Sequence, residues 1–118
     1  IRKILGGGMR QAGYLAAAGM YALQHHISRL DDDHKRAKEL GCVLETLNWV
    51  GKVEPVETNI LIFSIREGLE DKWVIDKLRQ KNIAISGMGK GKLRIVTHMD
   101  YKQVMHDYVI DVLQKMIF

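Results

Sequence analysis

Apolar residues along this chain fall first into a helical order and later into strand-like runs. From Met9 to Leu30 the series Leu15, Gly19, Leu23, Ile27 and Leu30 keeps one face, in residue types that favour helix, and predicts a first helix over that span. Its other faces are apolar too. Tyr14, Ala16, Ala17, Ala18 and Tyr21 leave almost no solvated stripe before His25 and His26, so this helix is expected to be covered on most sides by an absent domain or another subunit. The nearly continuous apolar stretch from Ala12 to Leu23 is shorter than the roughly 20 residues a bilayer requires.

Asp31, Asp32 and Asp33 supply capping oxygens and favourable charge for a second helix, whose inner positions Leu30, His34, Ala37, Leu40, Leu44 and Leu47 hold phase through Gly41 to about Trp49. Gly51 is expected to stop it. Thr58 to Ile65, β-branched and aromatic after Pro55, predicts a strand apolar on both sides and therefore central. Glu70 to Lys81 reads as an amphipathic helix with Trp73, Val74 and Leu78 inward. Ile83 to Ser86 and Lys92 to His98 predict strands joined through Gly-Met-Gly-Lys-Gly, and Tyr101 to Ile117 a last helix with Val104, Tyr108, Val112 and Met116 inward. The expected fold is α+β: N-terminal helices, then a small helix-flanked antiparallel sheet in the order β-α-β-β-α.

Composition narrows this little. A chain of 118 residues that is 47% hydrophobic is one domain or a piece of one. Ile1 in place of an initiating Met gives the expectation that the chain is cut from something longer. The single Cys42 rules out an intramolecular disulfide and suits a reducing compartment; a cytoplasmic setting is expected, a mitochondrial one the alternative. A net charge of +4 fits a nucleic-acid binder or an anionic small-molecule site, and only a clustered basic face discriminates them.

Three features could carry chemistry. In Lys3-Ile4-Leu5-Gly6-Gly7-Gly8-Met9-Arg10 the glycines free the backbone ahead of a helix N-terminus, which suits an anion flanked by two cations and equally suits a plain connector. Arg94 interrupts an otherwise apolar strand, where its planar fork could pair with a carboxylate or simply stand on an open sheet face. Lys77, Arg79, Lys81, Lys90, Lys92 and Arg94 form a run without an acid that could follow a phosphate backbone, but no aromatic residues interleave with it. His98, before Asp100, either orients a ligand or closes a turn. The histidines lack the spacing of a zinc helix, and Ser28, Ser64 and Ser86 lack a nucleophile elbow.

The blocks Lys3 to Gly13 (Lys-Ile-Leu-Gly-Gly-Gly-Met-Arg-Gln-Ala-Gly), Val56-Glu57-Thr58-Asn59-Ile60 and Leu93-Arg94-Ile95-Val96-Thr97-His98-Met99-Asp100 together resemble the low-specificity L-threonine aldolases, in order and over essentially the whole chain. The resemblance implies the C-terminal third of a fold type I pyridoxal 5'-phosphate enzyme, with residues 1–30 a Gly-rich segment and interdomain helix and residues 31–118 the small C-terminal domain. It further implies a lyase that splits threonine into glycine and acetaldehyde, a β-hydroxy amino acid as substrate, a homo-oligomeric parent, and no nucleic acid or membrane partner. By motif match Arg94 would hold the substrate carboxylate, and Lys3 and Arg10 would lie near the cofactor. The Schiff-base lysine would lie upstream, so no catalytic residue falls in this chain and it is expected to be silent alone. The competing expectation is a non-enzymatic basic module for nucleic acid or another anionic partner.

Overall fold

The computed structural model describes residues 1–116, in two units, Ile1–Leu30 and Asp31–Phe118. The first unit is a run of turns followed by one helix, α1 (Ala12–His25). α1 begins later than the pattern predicts because Gln11 is left-handed, with φ 51°, and a helix cannot propagate back through that conformation. It also ends before Leu30, after which α2 (Leu30–Glu45) starts separately. No residue of α1 is buried. Tyr21 touches both histidines, its ring centroid 4.4 Å from that of His25 and 5.6 Å from that of His26.

The second unit contains the rest of α2, β1 (Val50–Val53), β2 (Ile60–Ile65), α3 (Asp71–Arg79), β3 (Ser86–Gly89), β4 (Lys92–Val96) and α4 (Gln103–Lys115). The four strands form one antiparallel sheet in the order β1-β2-β4-β3. The expected α+β class and antiparallel sheet are present, and β2 is central. The sheet nevertheless has one strand more than the pattern predicts.

That strand, β1, begins just past Trp49, where the second helix was expected to end. α2 stops at Glu45, and Gly51, expected to stop it, is instead a strand residue against β2. A Cβ on Gly51 would stand 2.9 Å from Ser64 Oγ and 3.2 Å from the Ile65 carbonyl oxygen, so only glycine lets the two strands approach here. β3 is displaced toward the glycines, beginning at Ser86 where the pattern ends it, and Lys90 and Gly91, both with positive φ, make the tight turn into β4.

One face of the sheet is covered. Leu61, Phe63 and Ile65 of β2 and Leu93 of β4 are buried with Leu40 and Leu44 of α2, Val74 and Leu78 of α3, and Val109, Val112 and Leu113 of α4. Two helix faces differ from the pattern. Trp73 is 40% exposed rather than inward, with Lys77 Nζ 5.0 Å from its ring centroid. In α4 Val112 is buried as expected, but the inward stripe also takes His106, Val109 and Leu113 and leaves Val104 81% and Tyr108 47% exposed. The stripe turns because His106 is a polar residue with partners inside: its Nε2 lies 2.9 Å from Glu39 Oε2 on α2 and its Nδ1 3.3 Å from the Tyr101 hydroxyl. Ile117, the expected end of this helix, lies outside the described residues.

Candidate functional site

Strand alternation places Lys92, Arg94 and Val96 of β4 on the uncovered face of the sheet, because Leu93 between them is buried. Pairing then sets three rows across that face. Val96 stands opposite Ile60, Arg94 opposite Ile62 on one side and Ser86 on the other, and Lys92 opposite Ser64. The Arg94 row continues past β2, where the Glu54 amide donates to the Ile62 carbonyl (2.9 Å). The Lys92 row also continues, since the Lys52 amide donates to Ser64 Oγ (2.9 Å).

Among the described residues these rows therefore carry Lys52, Lys92 and Arg94 with the carboxylate of Glu54. Glu54 Oε2 accepts from Lys52 Nζ at 2.9 Å, and its Oε1 from Lys92 Nζ at 3.4 Å. The Lys52 hydrogen bond and charge hold the Glu54 carboxyl below its ordinary range. Among the described residues the Arg94 guanidinium has no hydrogen bond or ion pair. It is exposed, flanked by the apolar Ile62 and Val96 side chains, and fixed to a strand hydrogen-bonded on both sides. An unpartnered fork on a rigid strand can take a carboxylate through two parallel hydrogen bonds.

The C-terminal end of β4 is held by a clasp that the sequence did not reveal. The Thr97 amide donates to the Asn59 carbonyl (3.0 Å), the Asn59 side-chain amide returns to the Thr97 carbonyl (2.7 Å), and the buried Thr97 hydroxyl donates to the Asp33 carbonyl (2.8 Å). Next to it His98 closes a turn: its Nδ1 accepts from the Asp100 amide at 3.3 Å.

Lys3 and Arg10 lie in the first unit, both exposed, and have no hydrogen-bonded or ionic side-chain partner among the described residues. Two of the three glycine amides beside them face back into the chain. The Gly6 amide donates to the Lys3 carbonyl (3.2 Å) and the Gly7 amide to the Arg2 carbonyl (2.7 Å), so both donors are already engaged. A Cβ on Gly7 would lie 2.7 Å from Arg2 Cγ, which shows what the glycine is for: the chain folds back on Arg2 and Lys3.

Elsewhere in the second unit a cleft of about 320 Å³ opens on the helical side, lined mainly by Ile83, Ile95, Tyr101, Met105 and Tyr108; Arg94 does not line it. Among the described residues no group of His, Cys, Asp and Glu could hold a metal ion, and no helix is long and apolar enough to cross a membrane.

The Beta-eliminating lyase family profile matches residues 1–67, more than half of the chain. The chain belongs to the beta-eliminating lyase family. It is 36% identical to the "Probable low-specificity L-threonine aldolase 2" of Arabidopsis thaliana over 98% of its own length, and 40% identical to the low specificity L-threonine aldolase of Escherichia coli O157:H7 over 84%. It spans 33% and 28% of those two relatives. Among solved structures it is similar to a C-DES lysine-to-alanine mutant with glycine covalently linked to its PLP cofactor, with TM-score 0.67, 17% identity, and coverage of 90% of this chain and 29% of the other. A decarboxylase from Sulfurospirillum multivorans is similar over 68% of this chain and 23% of its own, with TM-score 0.56 and 16% identity. These structural likenesses place the beta-eliminating lyase chain in a known fold.

Proposed function

We propose that this chain is the C-terminal part of a pyridoxal 5'-phosphate-dependent lyase that cleaves L-threonine and L-allo-threonine into glycine and acetaldehyde. Residues 1–30 lead from the large domain and residues 31–118 form the small one. The reading rests on the similarity to threonine aldolases together with one observation, the exposed Arg94 guanidinium without a carboxylate partner on a rigid strand. Arg94 binds and orients the substrate α-carboxylate, which fixes the angle at which the Cα–Cβ bond is presented. Ile62 and Val96 beside it keep water from part of the guanidinium and strengthen that contact.

Lys3 and Arg10 suit the cofactor's phosphate as exposed cations, since the Gly6 and Gly7 amides are engaged within the chain. When bound, pyridoxal phosphate supplies the electron sink for carbon–carbon cleavage. The lysine that anchors it, and the remainder of the large domain, belong to the part of the relatives that this chain does not span. The parent is a homo-oligomer whose subunit interface takes the apolar faces of α1.

The test is threonine-dependent acetaldehyde release. The full-length polypeptide releases it and this chain alone does not. Release from this chain alone, or none from the full-length polypeptide loaded with pyridoxal phosphate, overturns the reading.

A further inference from the structure

Glu54 stands in the same cross-strand row as Arg94, with Ile62 between them. A carboxylate one residue past the end of β1 and a guanidinium on β4 are then about 10 Å apart at the backbone, two strand spacings, and a glutamate and an arginine side chain can meet over an isoleucine at that separation. They do not meet. Glu54 turns instead to the neighbouring row, with one oxygen on Lys52 and the other on Lys92. The three charged residues of that bridge lie on the open face, Lys52 71%, Lys92 51% and Glu54 34% exposed at the side chain, so no packing forces the choice.

We infer that the Lys52–Glu54–Lys92 bridge is a positioning device that holds the carboxylate sharing the Arg94 row away from Arg94, leaving the guanidinium available to a ligand carboxylate. Both glutamate oxygens are occupied by ammonium groups, and each lysine is a point charge that can follow the carboxylate through a range of geometries. Without them Glu54 would compete with the incoming carboxylate for the same fork. Lys52, Glu54 and Lys92 act through Arg94 and touch no reacting atom. The inference rests on Arg94 being the carboxylate clamp of the proposed lyase.

The experiment uses the full-length enzyme with Lys52→Gln and Lys92→Gln together, with and without Glu54→Gln, beside Arg94→Gln. Its readouts are KM and kcat for L-threonine and, independently of turnover, the calorimetric Kd for glycine. The double lysine variant should raise both KM and the glycine Kd roughly threefold to fivefold, the scale of an exposed ion pair, with kcat little changed. Adding Glu54→Gln should restore both to within about twofold of the parent, since the competitor is gone. If the lysine variant is unchanged, or if Glu54→Gln fails to rescue it, the bridge has no such role and the inference falls. If Arg94→Gln leaves KM and the glycine Kd unchanged, the clamp reading itself fails, and the two failures are thereby distinguished.

Discussion

Asn59 and Thr97 hold each other through two hydrogen bonds, the Thr97 amide to the Asn59 carbonyl and the Asn59 side-chain amide to the Thr97 carbonyl. The Thr97 hydroxyl adds a third bond, to the Asp33 carbonyl of α2, and the residue is only 1% exposed. This joins the start of β2, the end of β4 and the start of α2 at one point, a short way along β4 from Arg94. Thr97→Val nearly keeps the shape and removes the hydroxyl's bond to the Asp33 carbonyl, which stays within the helical ladder of α2. It should lower unfolding stability by about 0.5–1.5 kcal/mol, read as a shift in the urea midpoint at unchanged slope.

Removing the guanidinium should be costly to turnover rather than to folding. In the full-length enzyme Arg94→Ala is expected to lower kcat/KM by about 2–4 kcal/mol of transition-state binding, with an unchanged thermal midpoint. Arg94→Lys should recover only part of this, because an ammonium cannot present two parallel donors.

Gly51 is set by contact with β2 rather than by a turn. Gly51→Ala brings a methyl group to 2.9 Å from Ser64 Oγ and 3.2 Å from the Ile65 carbonyl oxygen, so β1 must shift. The expected loss is about 1–3 kcal/mol in a denaturant titration. An alanine as stable as the glycine would show that β1 can move without cost.

The Glu54 carboxyl is depressed below its ordinary value of 4.5, chiefly by its hydrogen bond and charge interaction with Lys52. A depressed acid contributes stability above the unfolded-state value and loses it as pH falls through the folded-state value. Stability of the wild type relative to Glu54→Gln should therefore be constant near neutrality and shrink on acidification below 4.5, measured as urea midpoints across pH.

Tyr101 behaves oppositely. Burial pushes its hydroxyl up from 10.0 to about 12, with nearby Arg36 opposing and Asp107 adding to the shift. Stability from its neutral form is complete below 10.0 and lost as pH rises toward about 12. Ultraviolet titration should show a phenolic component near that value that Tyr101→Phe abolishes.

The pattern of apolar positions located α2, β2 and α3 and their buried residues Ala37, Leu40 and Leu44, then Leu61, Phe63 and Ile65, then Val74 and Leu78, though it ran α2 past Glu45 and turned Trp73 inward. It failed where a residue's role depended on a distant neighbour. Gly51 reads as a helix stop unless one knows that Ser64 faces it. His106 stands outside the expected inward stripe, and only its approach to Glu39 and Tyr101 accounts for its burial. Arg94 was legible as the odd residue in an apolar strand, and its motif drew attention to it. Glu54, Lys52 and Lys92 were not, because their meeting is fixed by the irregular pairing of β1 with β2. The signal that could have found the clasp was already in the quoted motifs, since Asn59 and Thr97 belong to two of the blocks that carried the resemblance.

α1 has a practical consequence for handling the protein. Among the described residues the buried apolar side chains all lie at or beyond Ala37, whereas Tyr14, Leu15, Met20, Tyr21 and Leu23 are more than half exposed. Trimming to residues 31–118 would thus discard greasy surface while sparing every buried apolar side chain, which makes the shortened polypeptide the form to express when monodisperse samples are wanted.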